Sequence, residues 1–170
     1  MKNLEKLIRT IPDFPRKGIL FRDITTLIQN PEALKSVISS FKKNIPGGVN
    51  KVVAIESRGF IFGGALAVKL GLGFIPIRKR GKLPGKTIKV DYDLEYGTDT
   101  LEIHSDAIKE GDKIVLIDDL LATGGTALAS CRLIEKCGGK VEKILFLIEL
   151  DDLAGSRKLQ GYDVFSLLHF

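Results

Sequence analysis

The sequence has little of what builds disulfide frameworks or metal centres, with two cysteines and two histidines in 170 residues. Cys131 and Cys137 fall in one predicted helix, where six residues at 1.5 Å rise set them about 9 Å apart along the axis, beyond disulfide reach. Reduced thiols packed in a helix are the expectation. His104 and His169 each lack a second ligand at metal spacing, which argues against a structural zinc site. No apolar run reaches the roughly 18 residues of a membrane-spanning helix. The longest, "ILFLIEL" at 144–150, is interrupted by Glu149. The amino-terminal "MKNLEKLIRTIPDFP" scatters charges where a secretory signal needs a continuous apolar core. Internal repeats and low-complexity tracts are missing as well. These absences point to a soluble cytoplasmic protein with no membrane partner.

What is present suffices for one domain over 1–170. At 44% hydrophobic content, a chain of this length buries roughly 70% of its unfolded surface. The 26 basic and 21 acidic residues give a formal charge of +5 and a pI near 9.2, which favours an anionic partner over a cationic one. The dense basic cluster is "RKRGK", Arg78 to Lys82, directly after an apparent strand. A bound anion explains a cluster in that place better than solubility does.

Leu34, Val37, Ile38 and Phe41 repeat at i, i+3, i+4, i+7 behind Pro31, which predicts an amphipathic helix ended by "IPGG" at 45–48. "KVVAIE" (51–56) then reads as a buried strand, "GFIFGGALAVKLG" as a helix and "FIPIRK" (74–79) as a strand. A second unit of the same kind follows in "KIVLID", "GTALASCRLIEKC" and "VEKILFLIEL". Two β-α-β units predict an α/β fold, a parallel central sheet flanked by helices. Ligands of such sheets bind beyond the carboxyl ends of the strands, where "SRGF", "RKRGK" and "DLLATGGT" all begin. Between the units, Ile88, Val90, Tyr92 and Leu94 alternate, the chain turns near Gly97, and Leu101 and Ile103 resume. That is a hairpin pattern, expected to leave the parallel core and cover the ligand face as a lid.

"GKLPGKT" at 81–87 imitates a nucleotide-binding P-loop but has three residues between its glycines where four are needed, and a strand pattern follows where a helix is required. "VLIDDLLATGGT" (115–126) is more informative. Ala122 to Thr126 can curl so that several N–H groups face one point at a helix N-terminus, a phosphate site aided by the Thr123 and Thr126 hydroxyls. Gly124 and Gly125 let the backbone close around the anion without a Cβ clash. Asp118 and Asp119 lie one short loop away, so a ligand with phosphate at one end places hydroxyls or a metal beside the carboxylates. Ribose 5-phosphate has those dimensions. The plainer alternative is that Asp and Gly-Gly punctuate a strand-to-helix junction.

This segment resembles the phosphoribosyl-pyrophosphate signature of the type I phosphoribosyltransferases. "FPRKGILFRDIT", "AIESRGFIFGGALA", "IRKRGKLPGKT" and "DLEYGTDTLEIH" resemble the adenine-using branch of that family, in this order and over almost the whole chain. Thr26 stands where proline is common, and Glu56 where some relatives have aspartate. The resemblance implies transfer of the 5-phosphoribosyl group from phosphoribosyl pyrophosphate to adenine, with Mg²⁺ held through the substrate's pyrophosphate and ribose hydroxyls rather than in a dedicated protein cage. It implies a small N-terminal hood (1–30), a flexible lid hairpin (80–104) and a homodimer.

The same resemblance assigns the site residues. Ala122, Thr123, Gly124, Gly125 and Thr126 match the 5′-phosphate loop, and Asp118 and Asp119 the pair at the ribose hydroxyls. Ser57, Arg58 and Gly59 match the pyrophosphate loop, where the family often has a non-proline cis peptide; Arg58 also counts as catalytic. Lys79 joins the phosphoribosyl pyrophosphate contacts, whereas Arg78 and Lys82 match residues that reach the partner subunit's pyrophosphate. Leu20, Phe21 and Arg22 match the adenine pocket, with Phe21 stacking on the base. Glu95 and Tyr96 match the catalytic lid tip. The alternatives are a core ring for Phe21 and a cross-strand packing pair for "LEY". Elementary chemistry fits these roles: cations offset the leaving pyrophosphate, and two ionised aspartates suit the positive charge on the sugar. The rival reading is a nucleic-acid-binding regulator on the same fold. The intact lid and the lack of an added helical domain before residue 30 speak against it, so no nucleic-acid partner is expected.

Overall fold

The computed structural model describes residues 4–94 and 97–170. The chain packs as two compact units, Met1–Ser40 and Phe41–Phe170. In the first, β1 (Arg9–Pro12) and β2 (Leu20–Asp23) pair antiparallel, with Phe21 opposite Ile11. Asp23 holds the pair together, receiving Arg9 Nε at 2.9 Å, and also accepts the Thr25 N–H at 2.9 Å. That second bond starts α1 (Thr25–Gln29). The helix predicted behind Pro31 is α2 (Pro31–Lys43), whose first turn is capped by Asn30: its Oδ1 accepts the N–H of Glu32 at 3.1 Å and of Ala33 at 3.0 Å.

The second unit is the α/β body. Its elements are β3 (Lys51–Ile55), α3 (Gly59–Leu70), β4 (Gly73–Lys79), β5 (Thr87–Leu94), β6 (Gly97–His104), β7 (Lys113–Leu121), α4 (Gly125–Lys136), β8 (Lys140–Glu149) and β9 (Val164–His169). One seven-stranded sheet runs β5-β6-β4-β3-β7-β8-β9. The five strands from β4 to β9 in that order are parallel. Val52 to Ile55, Ile114 to Ile117 and Ile144 to Ile148 are buried without a polar break, because central parallel strands are covered on both faces. On one face Val53, Ile55 and Leu116 pack with Ala127, Cys131 and Ile134 of α4. On the other, α3 lies so close that a Cβ on Gly63 would meet Ala54 Cβ at 2.6 Å. Phe41 and Phe62 meet edge to face at 6.2 Å beside it.

Two expectations change. The hairpin β5–β6 does not leave the sheet: β6 pairs antiparallel with β4 at Arg78–Glu102 and Lys79–Leu101, and Ile88, Val90 and Tyr92 pack on the core of α4. Burial of three alternating large side chains anchors the base of the hairpin there. The strand β9 is an addition to the two predicted units; it lies parallel to β8, with Ser166 Oγ donating to Glu149 Oε2 at 2.7 Å. Both cysteines are free, as expected, and burial pushes the Cys131 thiol up to about 12.

Candidate active site

The site forms because β3 and β7 are neighbours. With Ala54 opposite Ile117, the segments leaving the two strands run side by side. A Cβ on Gly59 would stand 2.9 Å from Asp118 Oδ1 and 3.2 Å from the Ile117 carbonyl oxygen, so only glycine lets the start of α3 approach the end of β7. The Glu56–Ser57 peptide before it is cis, in the loop where the family resemblance places such a bond. Arg58 then reaches across, and its Nη2 is 2.8 Å from Asp119 Oδ2.

Beyond the aspartates lies a cavity of about 250 Å³, lined by Arg58, Asp118, Asp119 and the turn Ala122–Thr126. The turn ends on α4, whose first-turn N–H groups have no acceptor within the helix. Of the two glycines expected to permit the curl, Gly124 carries it, at φ +79°, and Gly125 is already helical. A Cβ on Gly124 would lie 2.4 Å from Gly155 O, and one on Gly155 would lie 2.1 Å from Ala122 O. The two glycines interlock backbone on backbone, so residues near Gly155 form the floor of the turn. Sequence reasoning missed Gly155; its only local signal is the glycine of "DLAGSRK".

The electrostatics differ from two free anions. Burial, and then the charge of Asp119, raise the Asp118 carboxyl well above its usual range. Burial also raises Asp119, with the Arg58 guanidinium opposing it. Burial thus holds both carboxyls of the pair above the ordinary carboxylate range, Asp118 the more strongly, because the guanidinium of Arg58 faces Asp119. A raised folded-state carboxyl contributes stability below the unfolded value near 3.9 and loses it as pH rises through the folded value. Replacing Asp118 by Asn, whose Oδ1 still accepts the Asp119 N–H bond seen at 2.8 Å, is thus expected to raise the neutral-pH melting temperature by about 2–8 °C, for about 1–2 kcal/mol. Melts between pH 4 and 8 check this, and the gap should close toward pH 4. An unchanged gap across that range would remove the burial argument.

The basic cluster finds carboxylates of its own chain. Glu56, with a side chain only 5% exposed, receives Arg78 Nε at 2.9 Å and lies 3.3 Å from Lys82 Nζ. It also accepts the Lys79 N–H at 2.7 Å. Burial opposes ionisation there, but these donors keep the Glu56 carboxyl below its usual value. Arg78 and Lys82, expected to extend to another subunit, turn inward onto Glu56 in this arrangement. Lys79 Nζ is 3.0 Å from Asp99 Oδ2. Neither Glu56 nor Asp99 stands out in the sequence, since each pairing joins residues far apart in the chain.

Leu20, Phe21 and Arg22 lie on β2 in the first unit. Leu20 is 55% exposed. Phe21 is half-buried rather than core, and its ring meets Phe14 edge to face at 5.0 Å. Arg22 Nη1 donates to Thr10 Oγ1 across the β1–β2 pair. Glu95 and Tyr96, the expected lid tip, fall outside the described residues.

Comparison with known proteins agrees with this geometry. A family model described as the phosphoribosyl transferase domain matches residues 24–168. The adenine phosphoribosyltransferase of Christiangramia forsetii is 57% identical over 168 residues, covering 98% of each chain. The crystal structure of the adenine phosphoribosyltransferase of Thermoanaerobacter pseudethanolicus superposes with a TM-score of 0.96 at 50% identity, covering 99% of each chain. That of Saccharomyces cerevisiae, complexed with adenine and an imino-altritol bisphosphate, gives 0.91 at 39% identity over 98% of this chain and 97% of that one.

Proposed function

The chain belongs to the phosphoribosyltransferase family, and from that premise we propose that it transfers the 5-phosphoribosyl group of phosphoribosyl pyrophosphate to adenine, giving AMP and pyrophosphate in purine salvage. One observation supports this most: the Arg58–Asp119 ion pair at 2.8 Å faces a cavity of about 250 Å³ that ends at the α4 N-terminus. A sugar phosphate fits that cavity with its anionic end on the helix and its hydroxyls at the aspartates.

In this reading Ala122 to Thr126 hold the 5′-phosphate, and Asp118 and Asp119 the ribose hydroxyls. Ser57, Arg58, Gly59 and Lys79 take the pyrophosphate. Breaking the C1′–oxygen bond spreads positive charge over the sugar while negative charge gathers on the leaving group. Asp119 stabilises the former and Arg58 the latter, and charge preorganised in this way commonly supplies the greater part of an enzyme's rate enhancement. Glu95 and Tyr96 close the site, with Glu95 controlling a ring-nitrogen proton as N9 bonds to C1′. The first unit, residues 1–30 above all, is the base-binding hood, in which Phe21 stacks on adenine between Leu20 and Arg22. Residues 80–104 are the lid.

Among the described residues no three of His, Cys, Asp and Glu converge on one point. The oxygen donors lining the cavity, Asp118 and Asp119, are hard ligands of the kind Mg²⁺ takes in ones and twos alongside substrate phosphates. The ion would be held through the substrate's pyrophosphate and the ribose hydroxyls that Asp118 and Asp119 orient, and its chemistry is to offset the charge of the pyrophosphate.

The protein acts as a homodimer in the cytoplasm. Supporting the dimer, Val68 on α3 is 85% exposed and Phe74 on β4 37% exposed, apolar surface that a second copy would cover. In the dimer Arg78 and Lys82 exchange Glu56 for the pyrophosphate of the partner subunit. Among the described residues no helix is long and apolar enough to cross a membrane.

The test is direct: purified protein, adenine, phosphoribosyl pyrophosphate and Mg²⁺, with AMP followed by chromatography. AMP should form at a rate first order in enzyme and cease with chelator. No AMP under these conditions overturns the proposal.

A further inference from the structure

Glu102 has no part in the chemistry described above, yet its side chain is only 2% exposed, and a carboxylate in such a place is costly unless donors answer it. Leu101 and Ile103 on either side belong to the core packed against α4, so by strand alternation Glu102 lies on the other face of the sheet. There it stands between Arg78 of β4 and Lys89 of β5, directly opposite both. Lys89 Nζ is 2.9 Å from its Oε1, and that ammonium holds the Glu102 carboxyl below its usual value, so the group accepts and does not donate. The Arg78 guanidinium goes instead to Glu56 Oε2 and to the Lys82 carbonyl, at 2.9 Å each. The remaining oxygen of Glu102, Oε2, accepts the Gly81 N–H at 3.1 Å.

Gly81, at φ +77°, is the third residue of the turn from Lys79 to Lys82 within the basic cluster. The Lys82 N–H closes that turn on the Lys79 carbonyl at 3.2 Å. A four-residue turn closed in this way leaves the N–H of its third residue without an internal acceptor. The Lys79 N–H goes to Glu56 at 2.7 Å and the Arg80 N–H to the Thr100 carbonyl at 3.1 Å. Glu102 answers the one that remains, so the backbone of the turn is held by two buried glutamates from different strand ends. The two differ in what they hold. Glu56 also receives the side chains of Arg78 and Lys82, which must leave it to reach a pyrophosphate. Glu102 holds only the backbone of the turn, and its bond can persist while the cations move to the ligand. Cations carried on a fixed backbone lose less freedom on binding than cations on a loose one.

We propose that Glu102 is a positioning residue for the pyrophosphate half of phosphoribosyl pyrophosphate: by holding the Gly81 N–H it fixes the basic turn from which Arg78, Lys79 and Lys82 meet the ligand. The inference rests on the phosphoribosyl-transfer reading and assigns part of the affinity for one end of the substrate to a buried carboxylate that does not touch it.

The experiment titrates inorganic pyrophosphate and ribose 5-phosphate separately by calorimetry, alongside steady-state kinetics. Glu102→Met keeps the length and the burial but has no acceptor, and the half-exposed Lys89 can return to water. It should weaken pyrophosphate binding about five- to tenfold and raise the KM for phosphoribosyl pyrophosphate by about the same factor, the size of one lost charge-assisted bond. Ribose 5-phosphate affinity and the KM for adenine should stay at their wild-type values, because neither ligand meets the basic turn. Glu102→Gln, whose amide oxygen can still accept the Gly81 N–H, should restore pyrophosphate affinity. A role confined to general stability would weaken both titrated ligands alike, and that result overturns the proposal. So does wild-type pyrophosphate affinity in Glu102→Met, or an equal loss in Glu102→Gln. Should Glu102→Met not fold, amide hydrogen exchange on the wild-type protein decides: the Gly81 N–H should be protected, and free exchange there overturns the proposal as well. Failure of the wild-type protein to bind phosphoribosyl pyrophosphate at all would count against the parent reading, separately from this one.

Discussion

Asp119→Asn is expected to lower turnover at saturating adenine and phosphoribosyl pyrophosphate about 100-fold while leaving the melting temperature near that of the wild type. The amide keeps the shape of a side chain only 8% exposed, so packing is retained. What is lost is the negative charge beside the developing cation, and removing one such preorganised partner costs about 3 kcal/mol in the transition state. Arg58, at 35% exposure, is solvated enough to survive without its partner. The neighbour makes a second expectation specific. Part of what holds a proton on Asp118 is the charge of Asp119, so the substitution lets Asp118 ionise at lower pH and recover some of the field. The acid limb of the pH–rate profile should therefore move downward in Asp119→Asn, and adding Asp118→Asn should cost more than it does in the wild type. Stopped-time assays at saturation across pH 5 to 9 read both effects. An undiminished rate at saturation would refute the role of Asp119.

The elements that carry the site are legible because they obey local rules. Val52 to Ile55, Val115 to Ile117 and Ile144 to Ile148 are apolar runs of the length of buried strands, and Gly71, Gly124 and Gly138 mark the adjoining helix ends. A parallel sheet then places the residues after each strand at one edge, which is why Ser57, Arg58, Asp118 and Asp119 group together from sequence alone. The rest depends on contacts between distant residues. Glu56 gathers Arg78 from 22 positions away, and nothing local in "AIESRG" says that its carboxylate is the buried anchor of a cluster one strand over. Gly155 matters only because its backbone abuts Ala122 and Gly124. The pair β1–β2 exposes Ile11 and Leu20, so it lacks the one-sided alternation by which a strand is recognised. The sequence also shows two adjacent aspartates without showing how deeply they are buried, and burial is what raises both carboxyls.

Base selection is expected to be the largest effect, with adenine used about 10⁴-fold more efficiently than hypoxanthine in kcat/KM. In a two-stranded antiparallel pair, alternate backbone groups of each strand point away from the partner. On β2 Leu20 and Arg22 flank Phe21, whose half-buried ring is braced by Phe14, and in the proposed reading their backbone groups read the edge of the base. A base stacked on that ring meets carbonyl and N–H groups at its edge. Adenine offers an amine that donates and a ring nitrogen that accepts, whereas hypoxanthine offers a carbonyl that accepts and an N–H that donates, the reverse at both positions. Each mismatch leaves a buried polar group unpaired, at about 1–3 kcal/mol, and sites that read a substrate through such bonds reject the wrong one by about 10⁴. Phe21→Ala removes the platform but not the edge, so it should lower kcat/KM for adenine by about 1–3 kcal/mol, roughly 5- to 150-fold, without creating activity on hypoxanthine or guanine. Competition between labelled adenine and unlabelled oxopurines, with phosphoribosyl pyrophosphate saturating, measures both. Comparable use of hypoxanthine by the wild-type protein would place base recognition elsewhere than on β2 while leaving the phosphoribosyl transfer itself standing, because in the proposed reading the phosphate turn and the Arg58–Asp119 pair serve the sugar and its phosphates rather than the base.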